Sequence, residues 1–434
     1  MEERYKSTKN RISYPKIKAL AVLLAIATIA GIILSIRFFF FSDKQIFSQV
    51  TYPGSKTGTF TYESQKATKD LLDGFYKNLK PKTTVFEYYQ IAGKTGTPPA
   101  SISEYVFLDD QLELLGFYVE QNDKAKYSEL NEWIKTAFKS SNGLFVKRLV
   151  SADLQIPAGD QEIRIAEQIH YCRILIEGYD RFGQAGDLNM VKTLSTQIYP
   201  FCKEKSMLPP EMTIALPQET SIPDFSATPI PKPSILPTID PAQITYLGVV
   251  DLSDIDLYAL KLLSSVDEGW NAVYTNCLDV VQKAAIEDPV PFYQAGFDPV
   301  KNGYVPYLTQ NAEFVFEYQI KIILHLAEVS QMRELTFSYL RQQLFSTRTF
   351  FESYQIPTLT PTTENESNIG YALMARIARI REDKDLYDLC VDRIKWTTAT
   401  NVDSQIYGLP FRTKTDGTIL AYANDAIAAI KAFY

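Results

Sequence analysis

Histidine is almost missing from this chain of 434 residues: only His170 and His325 occur, each inside an apolar helical run. Packing is the expected role for both, because no cluster of His and Cys has the short spacing that a metal site needs. Cysteine is equally sparse, and Cys172, Cys202, Cys277 and Cys390 lie far apart. A Cys172–Cys202 bridge is open to the chain, yet four buried thiols is the expectation. No excess of positive charge exists either. Net charge is −7, so no basic field invites a nucleic acid. Neither a metal nor an organic cofactor is indicated.

What the chain has is apolar surface, 46% hydrophobic and 13% aromatic, enough for one large domain or two medium ones. The first 41 residues stand apart. Arg4, Lys6, Lys9, Arg11, Lys16 and Lys18 precede an apolar run over 19–36, which Phe38–Phe41 extend past Arg37. Roughly 20 apolar residues span a bilayer. With no small-residue cleavage site after it, the segment reads as an uncleaved transmembrane anchor over 19–41. The basic flank stays cytoplasmic, which puts the rest outside the cell. Residues 42–61 read as a polar stalk.

The stretch 157–183 then sets a pattern. It opens with Asp160, Glu162 and Glu167, turns apolar on nearly every side, and stops at Gly183. Buried helices of this kind alternate with single-striped ones along the chain. The spacing predicts helices over 66–79, 103–120, 124–138, 160–182, 187–198, 253–263, 270–283, 313–329, 332–345, 366–380, 386–394 and 418–433. A short strand is expected over 144–149. Nine prolines between 207 and 241 mark an extended surface insertion. Six hairpins, each with one buried member, predict an all-α (α/α)6 barrel over 62–434. A helical solenoid is the rival, but its repeats would resemble one another and these do not.

In such a barrel the inner helices start at one rim. Glu104, Asp109 and Asp110 open the second helix, Asp160 and Glu162 the fourth, and Asp251, Asp254 and Asp256 the sixth. Glu313 and Glu317 open the eighth, Glu364 and Glu366 the tenth. Carboxylates favour first turns for capping alone. Five helices bringing them to one rim beside aromatics is also what glycoside hydrolysis uses, with one acid donating and one carboxylate activating water.

Here a resemblance enters. Ala158-Gly159-Asp160-Gln161-Glu162-Ile163-Arg164-Ile165-Ala166 resembles the Ala-Ser/Thr-Asp-Ala/Gly-Asp-x-x-Ile-Ala signature of family 8 glycoside hydrolases, the cellulase and chitosanase group. Ser103-Glu104 resembles that family's Ser-Glu-Gly segment, and Val250–Ser253 with Trp270 its Pro-Ser-Tyr region and following tryptophan. The resemblance implies an (α/α)6 fold and inverting hydrolysis, with Glu104 as general acid. Asp160 and Glu162 would grip the sugar. Tyr-Asp-x-x-Arg, which carries the family's base, is similar to Phe316-Glu317-Tyr318-Gln319-Ile320-Lys321 in either of two registers. One puts Glu317 in the base position; the other puts Tyr318 there. The glycines after the family's glutamate are Tyr105, Val106 and Phe107 here.

The leading expectation is a membrane-anchored extracellular glycoside hydrolase acting on a polysaccharide. Its catalytic pair would be Glu104 and Glu317, with substrate contacts from Asp160, Glu162, Tyr105, Phe107, Asp251 and Tyr304. The alternative is an inactive glycan-binding or scaffold protein of a surface-polysaccharide machine. A lyase or epimerase ranks last, because both histidines sit mid-helix, away from the acidic rim.

Overall fold

The computed structural model describes residue 28 and residues 62, 65–92, 99–159, 161–215, 244–288, 290–306, 313–355 and 358–434. Asp160, most of the proline-rich segment and nearly all of the expected anchor and stalk lie outside the described residues. Among those described, no helix is long and apolar enough to cross a membrane.

Twelve α-helices occur among the described residues, in the predicted order. They are α1 (Gln65–Gly74), α2 (Leu108–Glu120), α3 (Lys124–Ala137), α4 (Ile165–Phe182), α5 (Ala185–Lys203) and α6 (Leu257–Val266). Then come α7 (Trp270–Lys283), α8 (Phe316–Glu328), α9 (Glu334–Thr347), α10 (Asn368–Ile380), α11 (Lys384–Trp396) and α12 (Ala423–Phe433). The even-numbered helices pack in a ring, each on the next, and α12 closes it against α2. That closure excludes an open solenoid. The odd-numbered helices form the outer layer and bury single stripes, such as Tyr127, Leu130 and Ile134 on α3. Trp270 on α7, fully buried, donates its indole N–H to Ser195 on α5 at 2.8 Å.

Most inner helices start later than predicted, because a short strand leads into them. Tyr105–Phe107 precedes α2, Gln161–Ile163 precedes α4, Glu313–Val315 precedes α8 and Ile419–Tyr422 precedes α12. Strands of three or four residues carry too little period-2 signal to separate from a helical first turn. The strand expected at 144–149 is Arg148–Val150, paired with Tyr105–Phe107. The proline-rich insertion is not irregular throughout. Glu211–Ile214 is the middle strand of a sheet between Gln161–Ile163 and Ile244–Leu247. All four cysteines are buried free thiols.

One device repeats around the ring. Gln111, Gln168 and Gln319 each occupy the fourth position of an inner helix and are almost wholly buried. Each amide accepts from and donates to the backbone of one loop residue: Val85, Phe145 and Tyr293, all at 2.9–3.0 Å. On α10 the fourth residue is Tyr371, whose hydroxyl accepts from the Phe350 N–H at 2.8 Å. These side chains satisfy loop backbone that would otherwise be stranded in the core. Replacing Gln168 with Leu leaves a buried N–H and C=O unpaired, with an expected cost of about 2 kcal/mol or more. Denaturant unfolding of Gln168→Leu against the unsubstituted chain measures it.

Candidate active site

The inner ring encloses no apolar axis. In its place is a cavity of about 520 Å³ lined by twelve carboxylates, seven lysines or arginines and both histidines. The strand-to-helix entries explain which acids reach it. Asp109 and Asp110 lie in the first turn of α2, Glu167 in that of α4 and Glu317 in that of α8. First-turn positions suit negative charge, because the unpaired N–H groups of the helix start point the same way. Asp251, Asp254 and Asp256 come from the segment that turns into α6, where Asp256 caps the helix through the Ala259 N–H at 2.9 Å.

Arg164 links two of these acids. It hydrogen-bonds Asp254 and stands 3.4 Å from Glu167 Oε1. Glu167 is 5% exposed and its Oε2 has no hydrogen-bond partner. Burial, only partly offset by Arg164 and reinforced by the like charge of Asp109, pushes its pKa up to about 8. Burial also raises Asp110 well above its ordinary range, helped by Asp109 and Glu87. Asp251 is raised to about 6 by burial and by Asp254. Glu317 goes the other way. Burial works against its charge, but Lys321 at 2.9 Å overcomes that and holds it below the ordinary range.

The cavity therefore presents a carboxylic acid that keeps its proton at neutral pH and a carboxylate that does not. Divergent environments of this kind assign acid and base roles to two similar groups.

Of the residues expected from sequence, Glu317, Asp251 and Phe107 line the cavity. Glu104 does not. It sits exposed at the bend before Tyr105, and its carbonyl accepts from the Ser151 N–H. Glu162 also points away, and strand alternation is the reason: Gln161 and Ile163 are buried, so the side chain between them faces outward. There it pairs with Arg148 at 2.6 Å. Tyr105 covers the Arg148 guanidinium at 4.4 Å, outside the cavity lining. Tyr304 packs at 5.3 Å on Phe297 and donates its hydroxyl to the Val280 carbonyl. The histidines depart from expectation too. Both line the cavity rather than filling the core.

From the sequence, Glu167, Arg164 and Arg173 carried no site role, and Lys321 only matched the arginine of the Tyr-Asp-x-x-Arg motif in one register. A charged residue at helical spacing within an otherwise apolar helix was the available signal.

A closed ring of six helical hairpins is a fold this chain shares with solved glycoside-hydrolase structures, a family 8 glycosyl hydrolase among them. An alpha-amylase from Clostridium perfringens superposes with a TM-score of 0.68 at 19% identity, covering 85% of this chain and 98% of that one. PssZ from Listeria monocytogenes gives 0.55 at 13% identity over 85% of this chain and 94% of that one. The endoglucanase Cel10 from Klebsiella pneumoniae, a family 8 glycosyl hydrolase, gives 0.51 at 10% identity over 84% and 97%. No protein-family model matches the chain, and no curated protein matches its sequence. At these identities the likeness is one of fold.

A raised carboxyl pKa has a consequence for stability. Between the ordinary value of 4.5 and about 8, the folded chain holds a proton on Glu167 that the unfolded chain releases. Stability therefore falls as pH rises through that window. Glu167→Gln removes this component of the slope, which thermal unfolding from pH 4 to pH 9 measures.

Proposed function

We propose that this chain is a glycoside hydrolase that cleaves O-glycosidic bonds of a polysaccharide by inversion. The observation that carries hydrolysis is that one cavity holds Glu167, buried at the start of α4 with one oxygen unpartnered, and Glu317, paired with Lys321 at 2.9 Å. Burial raises the first carboxyl and Lys321 lowers the second, as donor and base require, while inversion is what the family 8 resemblance implies. Glu167 donates its proton to the leaving oxygen. Glu317 takes a proton from the water that attacks the anomeric carbon from the opposite face. Arg164 and Asp254 fix the donor's side of the site, and Phe107, Tyr318 and Tyr422 offer ring faces to the sugar. The six-hairpin fold, shared with an alpha-amylase and an endoglucanase, supports the substrate class without choosing the linkage. From the basic flank and apolar run over 19–41 we further infer a single-pass anchor with the barrel outside the cell.

A second reading is an inert glycan binder or scaffold of surface-polysaccharide assembly. It draws on Lys321, whose ammonium occupies the Glu317 carboxylate that should receive a proton from water.

The test is release of reducing ends from starch, β-glucan, xylan, chitosan and the host's own exopolysaccharide by the full chain. Glu167→Gln is expected to lower kcat by about 100-fold or more, in line with loss of a general acid. Glu104→Gln, outside the cavity, is expected to keep nearly full activity. The reverse pattern returns the acid role to Glu104. No hydrolysis of any glycan favours the binding role.

A further inference from the structure

The acid–base chemistry uses part of the cavity lining and leaves a second charged cluster unexplained. Five carboxylates belong to it: Glu113 and Glu120 from α2, Glu177 from α4, Asp256 at the head of α6 and Glu328 from α8. Three permanent cations answer them: Arg173 from α4, Arg376 from α10 and Lys431 from α12. Arg173 is the hub. It donates to both oxygens of Asp256 at 3.0 and 3.1 Å, to Glu328 at 2.7 and 2.9 Å and to Glu177 at 2.8 Å. Lys431 lies 2.6 Å from Glu113 and 3.8 Å from Glu120, and Arg376 lies 3.5 Å from Glu328.

The permanent cations are two fewer than these carboxylates, and both of the chain's histidines stand among them. His170 Nδ1 is 3.1 Å from Asp256, and its Nε2, 3.6 Å from Glu113, has no hydrogen-bond partner. His325 Nδ1 is 3.7 Å from Asp256 and 3.6 Å from Glu328. Asp256, His325 and Glu328 are also close enough to resemble a metal-ligand set. Arg173 already occupies both carboxylates, however, and would repel a divalent ion.

His170 sits one turn beyond Glu167 on α4. Its partner Asp256 caps α6, two residues past Asp254. We propose that His170 is a positioning residue. As an imidazolium it bridges Glu113 and Asp256, holding the helix that carries Glu167 against the segment that carries Asp251 and Asp254. The site is assembled only while that proton is present. The link to catalysis rests on the hydrolase reading above; the clamp itself does not.

Burial works against charge on His170, but its hydrogen bond to Asp256 and the nearby Glu113 win, so its pKa is raised. A raised pKa makes the clamp fully effective below the unfolded value, about 6.5. Its contribution is lost as pH rises through the folded value.

With only two histidines, imidazole ring NMR of the full chain gives two sets of ring signals, and His170→Gln removes one and so assigns the other. The expected result is a His170 midpoint above the ordinary value, and a midpoint at or below it overturns the proposal. Unfolding stability is read alongside. The difference between wild type and His170→Gln should be large at pH 6 and shrink toward pH 9, and subtraction cancels the Glu167 contribution. An equal difference at both pH values overturns the clamp. His170→Lys, a permanent cation, should flatten the alkaline loss of stability. It should also flatten any alkaline fall in kcat, with KM little changed. If His170→Gln does not fold, the wild-type titration and the lysine variant decide. If no glycan is hydrolysed, the hydrolase reading fails while titration and stability still judge the clamp.

Discussion

Arg173 is the contact on which the inner ring depends. It is buried on α4 and reaches Asp256 at the head of α6 and Glu328 on α8, so one guanidinium ties three neighbouring helices across an axis that has no apolar filling. A buried ion-pair network is favourable only when nearly every member is satisfied. Removing the arginine would leave two or three buried carboxylates facing one another, which is far costlier than losing a surface pair. The barrel thus trades a dry centre for a charged one. That choice accompanies a cavity of about 520 Å³ at the centre of the ring.

The same charges set the chemistry above them. Glu167 and Glu317 are both first-turn glutamates on inner helices, and helix position alone would treat them alike. Their neighbours separate them. Glu317 has an ammonium one turn along its own helix, whereas Glu167 shares Arg164 with Asp254 and keeps one oxygen unpartnered. Local partners, more than depth, decide which one keeps its proton.

Much of the architecture was legible in the chain. Alternation of all-round apolar and single-striped segments marked twelve helices in order and separated inner from outer members. The rim was harder to read. Leading strands of a few residues look like helical first turns, and their period-2 alternation turned Glu162 outward while Glu167, five residues on, faced inward. Glu104, ahead of such a strand, stayed outside by the same shift of the helix start. The glutamine rivets left no trace, because a single Gln in an apolar helix has no periodic signature. Packing was the expectation for both histidines because each lies in an apolar helical run, and the partner that draws His170 into the cavity, Asp256, is 86 residues away.

The most direct test of the central claim is the anomeric configuration of the first sugar released, followed by proton NMR as wild-type chain meets its best glycan. Hydrolysis with inversion is the predicted result, as the family 8 resemblance implies for a donor and a water-activating base. A product that retains configuration, or no product from any glycan, would contradict it.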